Sequence, residues 1–308
     1  MLKGSVRAAL SSTVLAATSG AGGLVGAIPA AAGQLTVVDC RGNPIALQPA
    51  INSAAPGAAL LVSGTCTGPF TITKDLTLIG LKPAVLDGNK AGSTVTVTGA
   101  VRVRLDTLTI TNGTGSGIRN NGGTLDLTGS TVEHNTAGPG GGIYNDVNGT
   151  VTLTGSTVRD NTSHSGGGII NFGTVRLTGS TVEHNTSTID GGGIYNNFNG
   201  TATLTGSTVR DNTAARAGGG IYNIFNSRVT LTSSTVGGNT TGTVGGGIWN
   251  DINSTVTLIG STVGDNTAET EGGGVYNKDG TVTLTGSTVR NNRPDNCGGP
   301  VPVPGCTG

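Results

Sequence analysis

A tandem repeat fills most of the chain beyond residue 125 and constrains the fold more than any other feature. The string Leu-Thr-Gly-Ser-Thr-Val returns with small changes every 24 to 27 residues. A second string, Gly-Gly-Gly-Ile-Tyr-Asn or a close relative, lies between its copies. A period in this range is typical of solenoids, whose repeats bury their apolar faces only by stacking on one another. The serines of the first string are Ser130, Ser156, Ser180, Ser207, Ser234, Ser261 and Ser287.

Hydrophobicity alternates with a period of two inside each repeat. In residues 150–154 the side chains of Val151 and Leu153 share one face, and the threonines share the other. Gly155 then bends the chain, and Val158 resumes the inward face. Such alternation predicts half-buried β-strands, and no window of the repeat has the apolar spacing of a long helix. We therefore expect three short strands and three turns per repeat, which together make one coil of a β-helix.

The composition favours a thin core with one layer per repeat. The chain has 56 glycines, 3% aromatic residues and 11% charged residues, so it cannot fill one thick core with large side chains. Its 17 basic and 17 acidic residues give zero net charge, and they form no basic stripe. Nucleic acid is therefore not expected as a partner, because binding to phosphates needs clustered positive charge.

An asparagine recurs at one position of every repeat. Stacked coils would place these amides directly above one another, where they can hydrogen-bond along a ladder. Asn also tolerates the left-handed backbone that a sharp turn needs, and we expect it to adopt that conformation here. The predicted structural ladder consists of Asn135, Asn161, Asn185, Asn212, Asn239, Asn266 and Asn292.

Charged residues alternate in sign between successive repeats. The position after the inward valine holds Glu133, Arg159, Glu183 and Arg210, and the next position holds His134, Asp160, His184 and Asp211. In-register stacking would place unlike charges above one another, although duplication of a two-coil unit would produce the same pattern. Imidazoles and carboxylates in such a stripe could also bind a metal or act as acid and base. We favour charge-paired stacking, because the pattern follows the repeat, and we assign no metal site.

The N-terminus has the features of a signal peptide. Lys3 and Arg7 supply positive charge, an Ala-rich apolar stretch follows, and residues 30–32 form a candidate Ala-Ala-Ala cleavage site. Removal of this segment would accompany export. No later segment is long and apolar enough to span a bilayer, so no transmembrane anchor is expected in the mature chain. We expect a secreted, extracellular or cell-surface protein.

Four cysteines lie in two pairs, one pair toward each end of the chain. An exported protein meets an oxidising environment, so we predict the disulfides Cys40–Cys66 and Cys297–Cys306. A zinc site is the rival interpretation. It is disfavoured because the chain has no Cys-x-x-Cys string and no histidine near either pair.

These features divide the chain into four regions. They are a signal peptide at 1–32, an N-terminal cap at 33–67, the parallel β-helix repeats at 68–293 and a C-terminal cap or tail at 294–308. Within the N-terminal cap, residues 47–54 are predicted to form a short helix that covers the first open coil. Looser strand-like runs precede the regular repeats at 70–73, 76–80, 95–97 and 108–110.

The repeats resemble those of a known superfamily. The alternating strings are similar to the right-handed parallel β-helix repeats of the pectin lyase-like superfamily. The Gly-Gly-Gly-Ile-Tyr-Asn strings also resemble repeats of polymorphic outer membrane proteins and related bacterial adhesins. The resemblance covers about residues 40 to 296 and implies an all-β fold, a single-stranded right-handed parallel β-helix (solenoid) with a short N-terminal capping helix. It says less about function, because one fold hosts many functions.

Catalytic members of this superfamily cleave polysaccharides, but their motifs are absent from this sequence. Galacturonases carry Asn-Thr-Asp, Asp-Asp, Gly-His-Gly and Arg-x-Lys on successive coils, and none of these strings occurs in this sequence. Calcium-dependent lyases need a cluster of carboxylates beside an Arg or Lys, whereas the carboxylates here are scattered or paired with basic residues. We therefore assign no catalytic residue and no cofactor, and enzymatic activity stays open.

A column of large side chains follows the inward residue of the second string. If Ile143 and its equivalents point inward, these side chains point outward. The rings could dock sugar rings or a protein partner, or they could stack on one another and shield the sheet. The column consists of Tyr144, Ile170, Tyr195, Tyr222, Trp249 and Tyr276.

These observations favour a secreted or cell-surface structural and adhesive module. Its expected partner is a polysaccharide or a cell-surface protein, bound along a lateral strand face. The predicted ligand-binding residues are Tyr144, Tyr195, Tyr222, Trp249 and Tyr276. The alternative is a polysaccharide lyase or glycoside hydrolase of the pectin lyase-like superfamily.

Overall fold

Residues 35–307 are described by the computed structural model, and all of them lie in the unit Gly33–Gly308. The predicted signal peptide at 1–32 lies outside the described residues. The described chain winds into stacked coils, and its strands pair in parallel from one coil to the next. The pairings form three sheets, named here A, B and C, with 19, 10 and 6 strands.

Sheet A contains two strand segments from each regular coil, a five-residue strand and a three-residue strand. Its strands are Thr36–Asp39, Ala58–Thr67, Leu76–Asp87, Arg102–Asp106, Thr109–Thr111, Thr124–Thr128, Thr131–Glu133, Thr150–Thr154, Thr157–Arg159, Thr174–Thr178, Thr181–Glu183, Thr201–Thr205, Thr208–Arg210, Arg228–Thr232, Thr235–Gly237, Thr255–Ile259, Thr262–Gly264, Thr281–Thr285 and Thr288–Arg290.

Sheets B and C complete the coils. Sheet B consists of Phe70–Ile72, Ser93–Thr98, Ser116–Asn121, Ile143–Asn145, Ile169–Asn171, Ile194–Asn196, Ile221–Asn223, Ile248–Asn250, Val275–Asn277 and Cys297–Gly298. Sheet C consists of Thr136–Pro139, Thr162–Ser165, Thr186–Asp190, Thr213–Ala214, Thr240–Thr241 and Thr267–Ala268. The four looser runs predicted before the regular repeats all contain strands of sheet A or sheet B.

Equivalent residues of successive coils stack directly on one another. Val151 pairs with Val175, and Leu153 pairs with Leu177. These side chains are buried and belong to one continuous apolar core that runs through the coils. Each buried Val or Leu contributes about 1.5 to 3 kcal/mol relative to full exposure. The period-two alternation therefore predicted the inward face of sheet A correctly.

Each regular coil contains four strands instead of the three that we expected. The additional strand belongs to sheet C, where the sequence suggested only a turn, and Thr162–Ser165 is an example. Its inward residue, Ser163, donates its hydroxyl hydrogen bond to the Ser165 carbonyl at 2.8 Å. Small inward residues leave no alternation of hydrophobicity for a sequence pattern to reveal. The inward positions of this sheet are Ala137, Ser163, Ser187, Ala214, Thr241 and Ala268.

The predicted asparagine ladder is confirmed. The Asn212 side chain donates from Nδ2 to the Asn239 Oδ1 at 2.9 Å and to the Val182 carbonyl at 3.0 Å. Its own Oδ1 accepts from both the backbone N–H and Nδ2 of Asn185, each at 3.0 Å. The same pattern repeats along the ladder, so buried amides satisfy backbone groups that the turn leaves unpaired.

The expected left-handed backbone lies one residue before each ladder asparagine, not at the asparagine itself. Its φ is +54° at His134, +54° at Asp160 and +55° at Asp211. The turn residue stays near the surface, whereas the asparagine must direct its amide inward to reach the next coil. One residue therefore adopts the left-handed conformation, and the next residue supplies the ladder amide.

Two further buried ladders were not predicted from the sequence. The asparagines that end the sheet B strands also hydrogen-bond from coil to coil, as Asn196 Nδ2 does to Asn223 Oδ1 at 2.9 Å. The serines of the first repeat string form the third ladder, in which the Ser207 backbone N–H donates to the Ser234 hydroxyl at 3.1 Å. Three turns of the regular coil thus carry their own polar ladder.

Both predicted disulfides are present, Cys40–Cys66 and Cys297–Cys306. The predicted short helix is also present as Leu47–Ser53, with Leu47 and Ile51 buried. Parallel pairing already begins with Thr36–Asp39, inside the stretch predicted as the N-terminal cap. Within residues 35–307, no helix is both long and apolar enough to cross a membrane.

The buried ladder leads to a stability prediction. Replacing Asn212 by Leu should lower the free energy of unfolding by roughly 1 to 3 kcal/mol, because the partners of its amide stay buried without hydrogen bonds. Replacing the half-buried Thr203 by Ser should have a much smaller effect. Urea denaturation midpoints of the two variants test this. Equal midpoints would contradict the structural role of the ladder.

Candidate functional site

The column of large side chains lies on sheet B and faces away from the main core. Ile194 pairs with Ile221 on the inward face, and Tyr195 pairs with Tyr222 beside them. Tyr222 pairs in turn with Trp249. The predicted column therefore exists in the predicted register from Tyr144 to Tyr276.

The three rings in the middle of this column stack on one another, which was one of the two arrangements that the sequence left open. Tyr222 is 4% exposed and Trp249 is 8% exposed. The Tyr195 and Tyr222 ring centroids lie 4.9 Å apart with an interplanar angle of 12°, and those of Tyr222 and Trp249 lie 4.0 Å apart at 31°. Ala217 and Ile224 complete a second apolar cluster around them. The coil spacing brings the ring faces together, so the middle of the column offers a ligand few free faces.

A groove of about 470 Å³ opens where this stack ends. Its floor consists of Tyr222, Trp249 and Tyr276, from three successive coils. One wall is formed by the turns that precede these sheet B strands, and the other by the turns that follow them. The first wall contains Arg216, Ala217, Thr243 and Val244, and the second contains Ile224, Asp251, Ile252 and Lys278.

Each wall of the groove carries a cation that is held by a buried carboxylate. The Arg216 guanidinium binds both carboxylate oxygens of Asp190, with the Nε–Oδ1 distance at 2.9 Å. The hydrogen bond to Asp190 raises the pKa of Arg216. Across the groove, the Lys278 ammonium lies 3.3 Å from the Asp251 Oδ2. Both carboxylates are nearly inaccessible to solvent, so each ion pair fixes the position of its cation.

Burial also affects the polar groups of the rings. Desolvation raises the pKa of Tyr195 to about 12, and the nearby Asp190 charge adds to this shift. The pKa of Tyr222 is raised further for the same two reasons. The Trp249 Nε1–H is buried and has no hydrogen-bond acceptor. The Lys278 ammonium lies 5.8 Å from the Trp249 ring centroid, within reach of a cation–π contact.

The charged stripe predicted from the sequence lies on sheet A and its following turn, away from the groove's lining residues. Glu133 pairs with Arg159 and Glu183 pairs with Arg210, as the in-register alternation predicted. Arg159 also contacts Asp160, and Arg210 also contacts Asp211, which in each case is the next residue in the chain. His134 and His184 stand 3.9 Å from their nearest carboxylate oxygens. In the described part of the chain, no three His, Cys, Asp or Glu side chains are grouped as metal ligands.

Sequence reasoning missed an apolar ridge beside the column, at the turns that connect sheet B to sheet A. The Phe198 and Phe225 rings stack with centroids 4.9 Å apart, and Phe198 is 56% exposed. Both residues have a positive φ, which is unusual for a bulky side chain. The ridge consists of Phe172, Phe198, Phe225 and Ile252.

Sequence reasoning also missed the two ion pairs of the groove. Asp251 and Lys278 follow the last asparagine of successive sheet B strands, so their opposite charges were visible in the same register that revealed the sheet A stripe. Arg216 carried no such signal, because it lies in an irregular turn, where no neighbouring copy of the repeat has a matching charge.

Comparisons with known proteins support the fold alone. No family model matches this chain, and no curated protein matches it. Among solved structures, the chain is similar to the crystal structure of pectate lyase Pel9A, with 15% identity and a TM-score of 0.52. The match covers 87% of this chain and 80% of that one. The described coils therefore share the right-handed parallel β-helix fold of that structure, as the sequence resemblance implied.

The buried tyrosines predict a loss of stability at alkaline pH. The folded-state pKa of Tyr195, about 12, lies above the value of 10.0 that is usual for an exposed tyrosine. The unfolded chain therefore releases these protons first, and the stability present below pH 10 should fall as the pH rises toward about 12. Replacing both Tyr195 and Tyr222 by Phe should reduce that loss. Urea unfolding at several pH values measures it, and parallel losses in both proteins would contradict the assignment.

Proposed function

We propose that this chain is an exported structural and adhesive module that binds an oligosaccharide segment in the groove above Tyr222, Trp249 and Tyr276. The observation that carries this proposal is a groove whose aromatic floor lies between two cations, each held in place by a buried carboxylate. A concave site with apolar walls and a few fixed polar groups is typical of small-ligand sites.

The groove offers a sugar two kinds of contact. The C–H groups of a sugar ring carry a slight positive charge and would pack against the negative faces of aromatic rings. Hydroxyl groups would accept hydrogen bonds from Arg216 and Lys278. These donors are held by the two buried carboxylates, so little side-chain entropy would be lost on binding.

The proposed site is smaller than the column that the sequence suggested as the ligand site. Tyr195 has one face against Tyr222, and the Arg119 guanidinium covers the Tyr144 ring at 4.3 Å from its centroid. Both residues belong to the predicted ligand column, and we propose that they support the stack instead of contacting the ligand. Any longer ligand would extend along the ridge at Phe225 and Ile252.

Export accords with the two disulfides, which favour an extracellular environment. We propose that residues 1–32 direct this export and that the helix Leu47–Ser53 covers the N-terminal end of the core. The module would act at the cell surface or close to it. Its partner would be a polysaccharide at that location.

A polysaccharide lyase or glycoside hydrolase is the second candidate, because the fold is similar to that of pectate lyase Pel9A. The described residues offer this candidate no group of carboxylates or histidines suited to a metal. The charged stripe at His184 and Asp211 is the strongest alternative site for such chemistry.

Calorimetric titration with a panel of oligosaccharides tests the proposed function. Replacing Tyr276 by Ala should weaken binding by about tenfold or more, which corresponds to roughly 1.4 kcal/mol. The matched control is Phe172→Ala, which removes a ring outside the groove. Release of reducing or unsaturated sugar that is lost in His184→Ala, without stable binding at the groove, would favour the enzyme instead.

A further inference from the structure

The charges that line and support the groove cancel one another. Arg216 on one wall is compensated by Asp190, and Lys278 on the other wall is compensated by Asp251. The remaining titratable groups at the groove are the phenols of Tyr222 and Tyr276. Because Tyr222 is neutral at ordinary pH, with its pKa raised by burial, it adds no charge. The two cations therefore leave no surplus positive potential for an anionic ligand.

An acidic sugar would have to compete with these internal carboxylates. If Arg216 turned toward a ligand carboxylate, Asp190 would stay buried without its cation, which is strongly unfavourable. The same holds for Lys278 and Asp251, although this contact is a single long one. The backbone also fixes the wall at this point, because the Arg216 carbonyl accepts a hydrogen bond from the Thr241 hydroxyl at 2.8 Å. The cations are thus placed as hydrogen-bond donors and not as free charges.

A neutral sugar would avoid this competition. Its hydroxyl oxygens can accept from hydrogens of Lys278 and Arg216 that the carboxylates leave unused. Neither ion pair would need to break. Zero net charge over the whole chain also provides no long-range attraction for a polyanion.

We infer that the groove selects uncharged oligosaccharides over chains of uronic acids, an inference that rests on the proposed function. Its discriminating residue is Asp251, because this carboxylate cancels the charge of Lys278, whose ammonium lies 5.8 Å from the Trp249 ring centroid. Asp251 Oδ1 also accepts from the Ile252 backbone N–H at 2.8 Å, and an Asn side chain at this position can keep that bond. The Asp251→Asn variant therefore adds positive charge to the groove while the turn is retained.

The experiment measures dissociation constants by calorimetry for pairs of tetrasaccharides that differ in charge. One pair is tetragalacturonate and its fully methyl-esterified form, and a second is cellotetraose and its C6-oxidised tetraglucuronate. For at least one pair, wild type should bind the neutral member about tenfold or more tightly than the acidic one. Binding of the neutral member should change little when the ionic strength rises from about 0.05 M to about 0.5 M, because no net charge is involved.

The Asp251→Asn variant should gain about tenfold in affinity for the acidic member, and that gain should disappear at high salt. The matched control is Asp160→Asn, which removes a carboxylate from the sheet A stripe and should change neither affinity. Tighter, salt-sensitive binding of the acidic members to wild type would overturn the inference and leave the proposed function standing. Binding of no oligosaccharide from either pair or from the wider panel would overturn both.

Discussion

The structure depends on the in-register parallel stacking of one coil upon the next. Parallel strands about 4.8 Å apart place every side chain directly over its equivalent, so each type of residue forms a column. Inward valines and leucines become a continuous apolar core, and turn asparagines and serines become hydrogen-bonded ladders. A substitution in one coil therefore acts on the coils above and below, and the stability of the whole is shared among neighbours.

The same stacking decides what the outward columns can do. At the spacing of one coil, aromatic rings cover one another, so Tyr195, Tyr222 and Trp249 stabilise the surface of sheet B more than they offer it to solvent. Charges of alternating sign neutralise one another, as Glu183 and Arg210 do on sheet A. The groove lies at the end of the ring stack, between two cations that are held by buried carboxylates.

Much of this architecture could be predicted from the repeat. The alternation around Val151 and Leu153 identified the inward face, and the recurring Asn212 and its equivalents identified one ladder. The sheet C strands were missed because inward residues such as Ser163 are small and polar. The sequence located the ring column but left open whether its rings are exposed or stacked, because side-chain packing depends on the turns on either side, which vary between coils. The ion pair of Arg216 and Asp190 joins residues with no shared position in the repeat.

The claim that the groove is the ligand site can be tested most directly at Trp249. It is the only tryptophan, so its indole N–H produces a single resolved signal in a ¹⁵N–¹H correlation spectrum. During titration with the tightest neutral oligosaccharide, this signal should shift saturably, because the ligand would pack against the ring that carries it. The side-chain amide signals of the buried asparagine ladder should stay in place. An unchanged indole signal under saturating ligand, with shifts at His134 and His184 instead, would place the site on sheet A and contradict the account.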